Sequence, residues 1–182
     1  MTNHRDLAPS PWIVRFAPLV AAGARVLDLA CGHGRHARWF ASRGASVLAV
    51  DRDSAALAAL AGIPGVETRA LDLEAGDWPL QGSFDAIVVT HYLHRPSFAS
   101  MLGAIASDGL LLYETFALGN ERYGSPSNPA FLLAPHELLE RVRGRLTVVA
   151  FEQGSVHQHG RHAVVQRIAA VGNARAWPPQ LA

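Results

Sequence analysis

The chain has 182 residues, 49% hydrophobic and 17% charged, with a formal net charge of +1 and one cysteine. That apolar content suffices for one continuous core, and the near-zero charge argues against the broad field that concentrates a protein on nucleic acid or acidic lipid. A lone Cys31 excludes an internal disulfide and suits a reducing compartment.

Residues 1–23 place Pro9 and Pro11 ahead of "WIVRFAPLV", the pattern of a helix with proline in its first turn, expected to cover the sheet that follows. Asp6, Pro9, Pro11 and Arg15 interrupt the apolar run that a secretion signal needs. No stretch approaches the roughly 18 consecutive apolar residues of a membrane span, so a soluble cytoplasmic protein is expected. Short apolar runs then alternate with alanine-rich segments. "RVLDLA" (25–30), "SVLAVD" (46–51), "VETRALDL" (66–73), "FDAIVVT" (84–90) and "GLLLYETF" (109–116) read as strands buried on both faces. Between them, "RHARWFASRG", "DSAALAALAG" and "RPSFASMLGAIASDG" read as helices, and "APHELLERVRGR" follows as another, each with glycine near its exit.

The last two runs, "LTVVAFEQ" (146–153) and "HAVVQRIAAV" (162–171), are joined by "GSVHQHGR" with no helix, which predicts an antiparallel hairpin. The β-α-β order predicts a doubly wound α/β fold with a mostly parallel sheet. Organisation as one domain is expected: a helical cover (1–23), a nucleotide-binding half (24–116), a Gly/Pro/Asn/Ser-rich loop (117–135), and a helix with the hairpin (136–182). The loop leaves the carboxyl end of the fifth strand, the edge where open α/β sheets bind ligands, and loops of this length are usually functional or disordered.

Gly32 and Gly34, followed by Ala37, match a dinucleotide fingerprint, and Asp51 stands 19 residues beyond Gly32, where a ribose-binding acid belongs. This serves a nicotinamide dinucleotide as well as an S-adenosyl cofactor. Asp28 discriminates: a carboxylate ahead of the glycines repels a pyrophosphate and favours the ammonium and sulfonium of S-adenosylmethionine. Asp72, at the end of the third strand, can accept a hydrogen bond from an adenine amino group.

"VLDLACGHG", "VLAVD", "ALDLEAGDWPL" and "FDAIVVT" in this order resemble the motif series of the class I S-adenosylmethionine-dependent methyltransferases. The resemblance runs from about Val26 to Phe116. It implies a seven-stranded sheet ending in the hairpin, Gly32 and Gly34 beneath the cofactor's amino-acid portion, Asp51 on the ribose, and Asp72 with Leu73 at the adenine. The expected cofactor set is Asp28, Ala30, Cys31, Gly32, Gly34, Asp51, Arg52, Asp72, Leu73 and Thr90. Downstream, "LLYETFALGNERYGSPSNPAFLL" is similar to small bacterial tellurite-resistance-like methyltransferases.

Methyl transfer from a sulfonium depends chiefly on orientation and needs a protein base only for a protonated acceptor of high pKa. The ends of the fourth and fifth strands offer His91, Tyr92, His94, Tyr113 and Glu114. Of these, His91 and Glu114 are the expected catalytic or acceptor-orienting pair. The expected acceptor is a small molecule rather than nucleic acid or membrane. Thr90-His91-Tyr92-Leu93 departs from the Asn/Asp-Pro-Pro-aromatic run of base-amino methyltransferases, and Arg141, Arg143 and Arg145 suit the last turn of a helix. His157, His159 and His162 lack a cysteine or acid partner, so no metal is expected. Trp12 and Trp78 are alternatives for the border of the cofactor site. An NADP-dependent oxidoreductase, with Arg52 on a 2′-phosphate, and a non-catalytic S-adenosylmethionine-binding protein are the competing functions.

Overall fold

The computed structural model describes residues 8–158 and 160–181. Helix α1 (Pro11–Phe16) begins where Ser10 Oγ accepts the Trp12 N–H. Then come β1 (Arg25–Leu29), α2 (Arg35–Ala41), β2 (Ser46–Asp51), α3 (Ser54–Ala58), β3 (Val66–Ala70), β4 (Phe84–Thr90), α4 (Phe98–Gly103), β5 (Ile105–Phe116), α5 (Glu137–Val142), β6 (Leu146–Gln158) and β7 (Arg161–Gly172). The strands form one seven-stranded sheet in the order β3-β2-β1-β4-β5-β7-β6. β1 to β5 are parallel, and β7 pairs antiparallel with both β5 and β6. The expected doubly wound sheet and terminal hairpin are therefore present.

Successive residues of a strand point to opposite faces, and the central strands are apolar at both parities. Leu27, Leu29, Ile87, Val89, Leu111 and Tyr113 enter the core under α4 and α5. Val26, Ala86, Val88, Leu110 and Leu112 enter the core under α1, α2 and α3. Neither face of the sheet's centre is left to solvent, as a parallel sheet requires.

Several strand boundaries differ from the sequence reading; β6 runs to Gln158 and β7 starts at Arg161, so most of "GSVHQHGR" is paired strand rather than connection. β3 stops at Ala70, because Asp72 Oδ1 accepts the Glu74 N–H and turns the chain. It is an edge strand and mostly exposed, not buried on both faces. β5 starts at Ile105, four residues before Gly109, because α4 ends at Gly103 and the Ala104 carbonyl already accepts the Phe84 N–H.

Between the sheet and α1 runs a chain of polar contacts. Arg15 pairs with Glu152 at 3.2 Å, Glu152 with Arg167 at 3.4 Å, and Arg167 Nε lies 2.5 Å from Glu114 Oε2. That last approach is an ion contact without hydrogen-bond alignment. Glu114 Oε1 accepts the Ser10 hydroxyl at 3.0 Å. Glu114 and Arg167 face each other in register across β5 and β7 and are 2% and 7% exposed. Removing one partner of such a pair leaves an uncompensated buried charge. Glu114→Ala is expected to destabilise the protein by about 3–5 kcal/mol, read from the shift of its urea unfolding curve.

Candidate functional site

The carboxyl ends of β1, β2, β4 and β5 converge on one edge of the sheet. After β1 the chain turns through Ala30, Gly32 and Gly34, with φ of 52°, 54° and 70°, a conformation natural to glycine. The two glycines differ in surroundings. A Cβ on Gly34 would collide with the buried Leu60 side chain, whereas one on Gly32 would meet nothing of the protein. Asp51 fixes this turn from β2: its Oδ2 accepts the Gly32 N–H at 2.7 Å and its Oδ1 accepts the Asp53 N–H at 2.9 Å.

Along this edge lies a cavity of about 540 Å³, within the range of small-molecule sites. Asp51, Arg52, Asp72, Leu73 and Glu74 line one side, and Tyr92, Thr115 and Phe116 another. Ala30 and His91 join it to a smaller chamber of about 300 Å³ beside Cys31, Gly32, His33, Arg35 and Thr90. His91 stacks on Phe116, with ring centroids 4.8 Å apart. Ser125, Pro126 and Phe131 cover the larger cavity. They belong to the loop from 117 to 135, closed at its neck by Leu118 N–H to the Leu133 carbonyl and Leu133 N–H to the Phe116 carbonyl, both at 3.0 Å.

The structure thus brings Ala30, Cys31, Gly32, Asp51, Arg52, Asp72, Leu73, Thr90 and His91 onto connected cavities. It does not bring Asp28, Gly34 or Glu114 there. Glu114, expected to face the acceptor with His91, is buried and held by Arg167 and Ser10; an alternating strand turns it away from the cavity to which Thr115 contributes. Asp28 is fully buried beneath the glycine turn, where its Oδ2 accepts the Ala37 N–H at 2.8 Å and its Oδ1 has no partner. It can act on a ligand through its field and not by contact.

Burial raises the Asp28 carboxyl to about 7, against the opposing pulls of the Ala37 N–H and Arg35. Burial, with Asp28 and Asp51 adding to it, pushes the Cys31 thiol well above the usual range and disfavours its thiolate. Desolvation drives His36 down to about 3; the neutral ring accepts the Ser10 N–H at 3.1 Å. Burial, then Glu74 and Asp72, lifts the Tyr92 hydroxyl to about 12, keeping it protonated at the cavity wall. Tyr113 is turned inward and donates to the Tyr92 carbonyl, while His94 contacts Ser97 Oγ.

Trp12 donates to the Ile168 carbonyl and Trp78 packs on the core; neither lines the cavity. Arg141 pairs with Glu137, Arg143 with Glu140, and Arg145 reaches the Ala99 carbonyl. His157 and His162 pack ring to ring, and His159 lies outside the described residues. Among the described residues no group of three His, Cys, Asp or Glu side chains is disposed to hold a metal ion, and no helix is long and apolar enough to cross a membrane.

The sequence reading missed Arg35. It stands in the first turn of α2 and lines the smaller chamber, a place where a cation opposes the helix dipole. That unfavourable position was the available signal. Phe116, Ser125 and Phe131 were also missed, because only the folded loop brings them over the strand ends.

Residues 26–107 match a methyltransferase domain family. A ubiquinone biosynthesis O-methyltransferase of Paracidovorax citrulli is 36% identical over 102 residues, covering 52% of this chain and 42% of that protein. The ribosomal RNA small subunit methyltransferase C of Chromohalobacter salexigens is 42% identical over 78 residues, covering 41% and 23%. The chain thus spans less than half the length of these curated relatives. Residues 26–107 are thus similar to a methyltransferase domain, and the seven-stranded sheet has the order that the resemblance to class I S-adenosylmethionine-dependent methyltransferases implies. TehB from Haemophilus influenzae superposes with a TM-score of 0.80 over 93% of this chain and 64% of its own, at 21% identity. The N-methyltransferase NodS from Bradyrhizobium japonicum superposes at 0.67 over 90% and 99%, at 17% identity. Both are likenesses of fold.

Gly32→Ala places a methyl in the space left for a ligand, so calorimetry is expected to show loss of S-adenosylhomocysteine binding with a stability loss of only about 1–2 kcal/mol from the positive φ. Gly34→Ala adds the collision with Leu60 and is expected to lower the melting temperature further. For Asp28 the folded-state pKa lies above the ordinary value of 3.8, so the stability it contributes is whole below that value and is lost as pH rises through about 7. Asp28→Asn, which retains an acceptor for Ala37, is expected to flatten that decline when denaturation midpoints are followed across this window.

Proposed function

We propose that this protein transfers the methyl group of S-adenosylmethionine to a small-molecule acceptor. The observation that carries the reading is Asp51, which holds the Gly32 turn and faces a cavity running past Asp72 on one side and to His91 and Phe116 on the other. The residues present fit the cofactor: Gly32 has an open face, and the unpartnered Asp28 Oδ1 beneath the turn favours positive charge above it. When bound, S-adenosylmethionine supplies a methyl on a sulfonium and leaves as S-adenosylhomocysteine.

In this reading Asp51 accepts hydrogen bonds from the ribose hydroxyls on its remaining lone pairs, and Asp72 with Leu73 borders the adenine. Arg35, beside Gly32, pairs with the cofactor's carboxylate. Ala30, Cys31 and Thr90 shape the wall by backbone and bulk, and Arg52 borders the ribose. His91 orients the acceptor and takes its proton where it carries one. The closed loop over the cavity supports a small acceptor, since a bulky polymer would have to displace it. We place the reaction in the cytoplasm; recovery of the protein in an exported fraction would overturn that location.

The first test is calorimetric titration with S-adenosylhomocysteine, with NADP in parallel. Micromolar binding of the former alone is expected; binding of NADP alone moves the protein to redox chemistry. Asp51→Ala is expected to weaken the first by about ten- to a hundredfold, the worth of a hydrogen bond to a charged group; a change under about threefold removes Asp51 from the ribose. Incubation with methyl-labelled S-adenosylmethionine and a cell extract is expected to label low-molecular-weight material and not ribosomal RNA, and His91→Ala to lower that rate. No labelled product despite binding identifies a non-catalytic binder.

A further inference from the structure

Beyond His91, Phe116 and Ser125 the site continues into a further chamber of about 780 Å³, bounded by the turn at Asn120–Arg122 and the start of β7. Its chemistry is unlike that of the cofactor side. Arg122 and Arg161 line it, and no aspartate or glutamate does. Six other arginines (15, 69, 95, 141, 143 and 167) are tied in ion pairs. Arg122 and Arg161 make no side-chain hydrogen bond or ion pair with the described residues. Glu121, the acid of the same turn, is committed to the Gly119 N–H at 2.8 Å. Two guanidiniums that form no ion pair among the described residues line one concave surface and can hold an anion there.

The same chamber is walled by aromatic rings. His91 stacks on Phe116, and Tyr123 stacks on His162 with centroids 5.6 Å apart. The loop that carries Arg122 and Tyr123 is pinned from beneath. Asn120, 2% exposed, donates from Nδ2 to the Pro126 carbonyl at 3.0 Å and accepts the Val164 N–H on Oδ1 at 3.1 Å. Its neighbour Gly119, at φ 103°, packs so closely on Val164 that a Cβ would lie 3.3 Å from Cγ2. The backbone that carries Arg122 and Tyr123 is thus braced against β7.

We propose, resting on the methyltransferase reading, that this chamber is the acceptor site and that the acceptor is a planar organic anion. Its ring packs on the His91–Phe116 and Tyr123–His162 surfaces, and its negative group is held by Arg122 and Arg161. An inorganic oxyanion would leave the rings without a partner, and a neutral ring would leave the guanidiniums uncompensated.

The test is calorimetry on protein saturated with S-adenosylhomocysteine, using 4-hydroxybenzoate and 2-naphthoate as planar anions. Their methyl esters, cyclohexanecarboxylate and selenite are the comparisons. At least one planar anion is expected to bind about tenfold tighter than its ester, cyclohexanecarboxylate and selenite. Arg122→Gln and Arg161→Gln are each expected to weaken that binding about five- to tenfold without changing the affinity for S-adenosylhomocysteine. Tyr123→Leu, at an exposed position, is expected to weaken the planar anions and leave cyclohexanecarboxylate unchanged. Equal binding of acid and ester, preference for selenite, indifference to both arginine substitutions, or no binding of either planar anion overturns the proposal. Failure to bind S-adenosylhomocysteine overturns the methyltransferase reading on which it rests.

Discussion

One carboxylate organises the ligand edge of this sheet. Asp51 terminates β2, and its two oxygens take the N–H of Gly32 in one direction and of Asp53 in the other. The first bond ties the turn after β1 to its neighbouring strand; the second starts the segment in which Asp53 caps α3. The Gly32 bond adds to the backbone bond from the Cys31 N–H to the Val50 carbonyl, so that the positive-φ turn is tied to β2 twice. A buried or half-buried N–H must find an acceptor, and here the acceptor is also a wall of the cavity. The group that fixes the turn thus keeps unused lone pairs on the cavity side.

The buried charges beneath the site follow a different logic. Asp28, Glu114 and Arg167 sit inside the protein, and none lines a cavity that Asp51 or His91 faces. Glu114 and Arg167 neutralise each other across β5 and β7 and anchor Ser10 at the start of α1. Asp28 is instead left with one oxygen unpartnered, and its carboxyl is lifted by desolvation to about 7. An ion pair is the solution where the fold is to be fastened. Asp28, with no such partner, carries the cost of its burial as a raised pKa.

Most of the fold was legible because its determinants are local and periodic. Apolar runs between alanine-rich segments gave the parallel strands, and "GSVHQHGR" gave the hairpin. Asp51 was legible from its spacing to Gly32, since a strand, a helix and a second strand fix that distance along the chain. Glu114 was misread because sequence places it at the right strand end but does not give the parity of its side chain; one position on, Thr115 faces the cavity. Arg122 and Arg161 lay beyond reach for another reason. They are 39 positions apart in a chain where neither has a motif, and only the β7 insertion and the Asn120 brace bring them to one chamber.

The position of β7 has a consequence for how the molecule is made. It is the last of the seven described strands in sequence, yet it lies inside the sheet, between β5 and β6. Until it is synthesised, β5 has hydrogen-bonding partners on one edge only, and its opposite edge, carrying Leu110 to Phe116, is an apolar template open to other chains. During translation this nascent edge invites mispairing, which makes the interval between synthesis of β5 and arrival of β7 the stage at which a chaperone that shields strands would matter most.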